Sequence, residues 1–169
     1  MRQDPDIYTV QMYPNQSQEA RMLEIMHACY ETYCWTIDGL LSGRYQITPE
    51  TLYDVIDKQM KPDWIDQRPQ KICPWTTMRY MIREACNNWL DHIAFPDKEA
   101  VATGLKAEHF NKLYIPYSGM KLLNDTVQIE RVCRVKIDHV EIPTRLHLVI
   151  AYPGAKHTWW ANIRAAKPE

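Results

Sequence analysis

Apolar and polar positions change their period twice along the 169-residue chain. Near the start, Ile7, Thr9, Gln11 and Tyr13 alternate with Tyr8, Val10 and Met12, and both sets are partly apolar. That pattern predicts a strand buried on both faces. Pro14 closes it, because proline lacks an N–H and fixes φ. From Ser17 to about Leu41 the period is helical: Met22, Ile25, Met26, Cys29, Tyr33 and Ile37 form one apolar stripe. Asn15 or Ser17 can cap this helix, Glu19 suits its first turn, and Gly39 and Gly43 end it. Thr48-Pro49-Glu50 predicts a second helix, with Thr48 as N-cap, Leu52, Val55, Ile56 and Met60 as its face, and Lys61-Pro62-Asp63 as its breaker. A third helix is expected from about Pro74 to Ile93, on the stripe Trp75, Met78, Ile82, Ala85, Cys86 and Trp89. Residues Phe95–Lys106 read as helix end plus loop, broken by Pro96.

After Lys112 the helical period is lost. Leu113–Tyr117, Thr126–Val132, Arg134–Ile137, Leu146–Tyr152 and Thr158–Arg164 are short β-branched or aromatic runs, with turns at Asn124-Asp125 and Pro153-Gly154. A lone N-terminal strand followed by a long helical block would leave two open edges. The economical arrangement puts it among the later strands. The expected fold is therefore α+β, a small β-barrel of the N-terminal strand and about five C-terminal strands. Residues 1–14 and 112–169 form the barrel, and residues 15–111 form an inserted helical lobe.

Composition adds bounds rather than identity. A hydrophobic content of 46%, with 5 Gly and 11 Pro, is that of a folded globular chain. No apolar run has membrane-spanning length, and the N-terminus lacks the apolar core of a secretory signal. Five cysteines in dispersed, apolar settings such as Cys86 and Cys133 read as reduced thiols of a cytoplasmic protein. The net charge of −1 hides an asymmetry. Residues 1–60 carry four basic against nine acidic side chains, whereas residues 61–169 carry sixteen against twelve. A phosphate-binding face is therefore expected in the second part.

Tyr13, Pro14, Gln18, Cys29, Tyr33 and Trp35 set out a Tyr-Pro-x-x-x-Gln turn followed by a helix bearing Cys-x-x-x-Tyr-x-Trp. This junction resembles the opening of the transposon-encoded OrfB/TnpB proteins, compact RNA-guided nucleases related to the type V CRISPR effectors. Further on, Pro62-Asp63-Trp64-Ile65 and Ala85-Cys86-Asn87-Asn88-Trp89-Leu90 are similar to family segments of the helical lobe. The runs 124–129, 132–137 and 158–163 are similar to the strands that follow it. The resemblance implies a wedge-type β-barrel interrupted by a recognition lobe. It also implies partners: a structured guide RNA, duplex DNA beside the target, or both. The chain departs from the family in two respects. It contains no RuvC-like strand, no catalytic acid set and no zinc ribbon, and it has Gln11 and Tyr30 where the family carries Arg or Lys.

The residues themselves read as binding rather than catalysis. The acids lie mostly on helix faces, the six histidines are dispersed, and no Cys-x-x-Cys, Gly-rich phosphate loop or nucleophile elbow is present. No catalytic residue, metal site or cofactor is expected. Thr76, Thr77, Arg79, Tyr80, Arg83 and Asn87 lie on and beside the helix face opposite its core stripe, with groups suited to phosphates and base edges. Among the strands, Lys112, Tyr114, Lys121, Arg131, Arg134 and Lys136 interleave basic and aromatic side chains, with Tyr114 and Tyr117 equally suited to the barrel core. Of the adjacent Trp159 and Trp160, one must face the core and the other away from it. The expected function is a nucleic-acid-binding module that lacks a nuclease, acting as a separate subunit or as a regulator of a nuclease-bearing chain. The alternative is a protein-interaction module, self-associating or modulating a full-length effector.

Overall fold

The computed structural model describes residues 6–67, 75–117, 120–129, 133–141 and 146–165. The chain is α+β. Strand β1 (Asp6–Tyr13) is followed by helix α1 (Gln16–Leu41) and by a second helical segment made of α2 (Leu52–Val55), a π-turn (Ile56–Met60) and α3 (Lys61–Gln67). Helices α4 (Trp75–His92) and α5 (Lys98–Glu108) come next. Six strands end the chain: β2 (Leu113–Pro116), β3 (Met120–Leu123), β4 (Thr126–Ile129), β5 (Cys133–Ile137), β6 (Leu146–Pro153) and β7 (Trp159–Ala165).

The seven strands of the described residues belong to one antiparallel sheet of order β2-β6-β7-β1-β5-β4-β3, which nearly closes into a barrel. β1 lies in its interior, paired with β7 from Asp6↔Ala165 to Met12↔Trp159 and with β5 at Met12↔Ile137 and Tyr13↔Lys136. The N-terminal strand thus satisfies both edges with segments more than a hundred residues away. One expectation about β1 is corrected. Only Met12 is fully buried, while Ile7, Thr9 and Tyr13 are exposed, so the strand has an inner and an outer face. Its outer residues are apolar enough to mimic a doubly buried strand. β7 alternates cleanly, with Trp159, Ala161, Ile163 and Ala165 buried. Trp159 is therefore the core tryptophan, and Trp160 is half-buried on the other face.

Two compact units divide the chain, residues 1–27 with 111–169 and residues 28–110. The first twelve residues of α1 belong with the sheet, and its remainder belongs with the helices. Asn15 and Gln18 form a capping box at its start: the Gln18 amide donates to Asn15 Oδ1 at 2.8 Å, and the Asn15 amide donates to Gln18 Oε1 at 3.0 Å. Gln18 Nε2 also donates to the Arg134 carbonyl at 2.6 Å, tying the helix start to β5. One turn in, Glu19 accepts the Trp159 indole N–H at 2.9 Å.

The helical unit departs from the sequence reading at several points. Pro62 does not break its helix. The chain widens into the π-turn just before it, with the Lys61 N–H reaching the Ile56 carbonyl, and α3 continues through the proline. A wider turn accommodates a residue that has no N–H and whose ring crowds the preceding turn. The expected cap at Thr48 is moved: Thr48 and Thr51 bond each other in a turn, and the helix begins at Leu52. Residues 98–108, expected as loop, form α5, capped by Asp97 accepting the Ala100 N–H at 3.1 Å.

Gly39, expected to end α1, lies inside it instead, and a side chain there has no room. A Cβ at this position would come 2.6 Å from the Tyr45 ring. Gly104, in α5, meets nothing within 4 Å. Helix propensity alone favours alanine over glycine at both sites by about 1 kcal/mol. We predict opposite signs in chemical denaturation. Gly104→Ala stabilises by up to about 1 kcal/mol, and Gly39→Ala destabilises by about 1–3 kcal/mol through overpacking. Equal stabilisation by both would mean that Tyr45 does not pack on α1.

Candidate nucleic-acid interface

The two groups of residues singled out in the sequence fall in different units, and their side chains are used differently. On α4 the buried arc is wider than the stripe and takes in Thr77 and Tyr80, at 4% and 8% exposure. These two were expected on the solvent side and are instead core residues. α4 packs against both α5 and the π-turn, so two neighbours at different angles cover more of its circumference. Arg79 is engaged in the fold: its Nε and Nη2 donate to the Asp57 carboxylate at 3.2 and 3.4 Å, and its guanidinium lies 5.7 Å from the Tyr53 ring centre. Arg83 lies over the Tyr80 ring at 5.3 Å. Thr76 is half-buried and Asn87 exposed.

The sheet treats its residues otherwise. Antiparallel partners share a face, so the register sorts the side chains. Lys121 pairs with Gln128, and Gln128 with Arg134. Leu123 pairs with Thr126, Thr126 with Lys136, and Lys136 with Tyr13. These two adjacent rows form the outer surface of β3, β4 and β5, opposite the buried Val127, Ile129, Val135 and Ile137. Three cations, Lys121, Arg134 and Lys136, stand on it exposed. No position of either row is a carboxylate. Arg134 Nη2 donates to the neutral Gln128 at 3.3 Å. At the strand ends the Tyr13 hydroxyl donates to Asp138 at 2.6 Å. That acceptor holds the Tyr13 hydroxyl above its ordinary range. Tyr13, Asp125, Lys136, Ile137, Asp138 and His139 line an open hollow there.

Of the other strand residues, Lys112 is half-buried before β2, and Tyr114 is a core residue at 5% exposure, a second correction. β2 is buried along its whole length, so its tyrosine has no solvent side. Arg131 lies outside the described residues. The sequence reading passed over β3 as a strand. Asn124-Asp125 was recognised as a turn, and a two-residue turn before β4 implies a partner strand ending at Leu123.

The motif residues of the N-terminal junction serve structure. Gln18 holds the cap and β5. Tyr33 is buried, stacked on His109 at 3.9 Å and accepting from Asn88 at 2.9 Å. Trp35 donates to Gln67 at 2.9 Å. Among the described residues, no three His, Cys, Asp or Glu side chains gather as metal ligands would. No described helix is long and apolar enough to cross a membrane. Compared with known proteins, the chain matches no protein-family model and no curated protein.

Burial raises several proton affinities in the helical unit. The Cys86 thiol is pushed from its ordinary 9.0 to about 12. Tyr33 is raised well above 10.0, chiefly by burial, against a smaller lowering from the Asn88 bond. Tyr45 is raised by burial and by its bond to Asp63. These groups hold their protons more tightly folded than unfolded, so the stability they contribute is complete below the unfolded values and lost as pH rises through the folded ones. We predict that denaturant midpoints fall steadily above about pH 9. A midpoint unchanged up to about pH 11 would show that these groups are solvated.

Proposed function

We propose that the chain is a nucleic-acid-binding module without nuclease chemistry of its own. In this reading it is a wedge-type barrel with a helical recognition lobe, as the OrfB/TnpB resemblance implies, acting beside a nuclease-bearing chain or regulating one. The observation that carries the reading is the outer surface of β3–β5, where Lys121, Arg134 and Lys136 stand together with no carboxylate in their rows. A cation cluster with no carboxylate in its paired rows attracts phosphates and releases their counterions. Thr126, Gln128 and Tyr13 between the cations add hydrogen-bonding groups of the kind that fix a backbone. The α4 residues contribute less, since Arg79 is paired and Thr77 and Tyr80 are core.

Ile93 and Phe95, exposed by 45% and 53% and two residues apart, favour a second reading as a protein-interaction module. A polypeptide that co-purifies after nuclease treatment, from a chain that binds no nucleic acid, would establish that reading instead.

Fluorescence anisotropy with structured RNA and with duplex DNA at low salt tests the proposal. We predict binding whose logarithmic salt slope is about −2 to −3, as three phosphate contacts require. Each of Lys121→Ala, Arg134→Ala and Lys136→Ala should reduce the slope by about 1. Arg79→Ala should leave it unchanged. No binding of either ligand, or binding indifferent to the triple substitution, would overturn the proposal.

A further inference from the structure

The same side of the sheet continues from β5 across β1 and β7 to the end of β6, where Tyr152 is half-buried, whereas Ile150 and Leu148 of that side are buried. Tyr152 pairs with Trp160, and Trp160 with Gln11. In the next row Asn162 pairs with Thr9. An aromatic pair therefore sits on this side of β6 and β7, flanked by two amides and a hydroxyl, and beyond Gln11 the row reaches the exposed Asp138, whose N–H donates to the Gln11 carbonyl at 3.0 Å. Trp160 and Tyr152 are half-buried rather than covered. The turn after β6 braces the indole, since a Cβ on Gly154 would come 2.7 Å from Trp160 Nε1. A braced aromatic side chain is pre-organised for stacking and loses little freedom when a base lands on it. Trp160 is two strands from Lys136, or about 10 Å across the sheet.

We infer that this face binds an unpaired strand of RNA. Its phosphates run over Lys136, Arg134 and Lys121, and one base stacks on Trp160 with Tyr152 beside it. The inference rests on the nucleic-acid reading above and names the ligand of the same face. Three observations favour this occupant. The cations and the aromatic pair lie on one side of the sheet, as a strand with exposed bases requires and a duplex with stacked bases does not. The aromatic side chains stand on a sheet, where bases can lie flat. The amides of Gln11 and Asn162 adjoin the indole, and Asn162 Oδ1 already accepts from Arg164 at 3.3 Å, leaving its NH₂ to donate. Amide donors beside a stacked base suit a 2′-hydroxyl, the group by which proteins tell RNA from DNA.

The test uses the whole chain with an unstructured RNA of about 12 nucleotides, the matching single-stranded DNA and the matching RNA duplex. The expected order is single-stranded RNA tightest, with Trp160→Ala weakening it about tenfold and Trp160→Phe much less. Gln128→Glu, at a half-buried surface position, should weaken all three ligands by placing a negative charge between Lys121 and Arg134. Because Trp160 is half-buried and packs against the turn at Gly154, photocrosslinking of the unaltered protein to bromouracil-substituted RNA gives a reading independent of folding. Adducts on the peptides holding Trp160 or Tyr152 are expected. Preference for the duplex, equal binding of single-stranded DNA, or adducts confined to other segments would overturn this inference and leave the nucleic-acid reading standing. Absence of binding to all three, and to the structured RNA and duplex DNA above, would remove both.

Discussion

The sheet depends on one constraint: β1 sits inside it and has two edges to satisfy. Its partners, β7 and β5, lie at the far end of the chain. Backbone groups of an interior strand must be paired or they destabilise the fold by more than any surface contact restores. The start of α1 secures the same junction. The capping box fixes the helix axis, Gln18 bonds the β5 backbone, and Glu19 receives the indole of the core Trp159. Tyr13, Pro14 and Gln18 are thus accounted for by the geometry of one strand-to-helix corner.

That placement also produces the candidate surface. With β1 between β5 and β7, the basic rows of β3–β5 and the aromatic row of β6–β7 become parts of one face. Neither is continuous in sequence. Lys121, Lys136 and Trp160 come from three separate strands and meet only through the register. A chain with a net charge of −1 can therefore present a locally cationic surface. The paired rows hold no carboxylate, Asp125 and Asp138 stand at their end in the hollow beside Lys136, and at physiological ionic strength a phosphate responds to charges within about 8 Å.

Much of the fold was legible because it follows from period and punctuation. The α4 stripe and the need to seat β1 among later strands could both be read from residue types alone. What was missed required knowledge of neighbours. Thr77 and Tyr80 look like surface residues until α5 and the π-turn are seen to flank α4. Pro62 reads as a stop unless the preceding turn widens, which no local rule predicts. β3 is four residues with no β-branched side chain, held by its pairing with β4 rather than by propensity. For the site, residue type identified Lys121, Arg134 and Lys136, and only the register showed that they share a face. Trp160 was left with two possible environments, and the alternation of β7 chose between them.

The central claim is that the sheet face, and not α4, meets nucleic acid. Titration of the ¹⁵N-labelled protein with single-stranded RNA, followed by amide and indole NMR shifts, tests it most directly. The account predicts concerted shifts at Lys121, Gln128, Arg134 and Lys136 together with the Trp160 indole N–H. Shifts confined to residues 76–87 of α4, with the sheet unmoved, would contradict it.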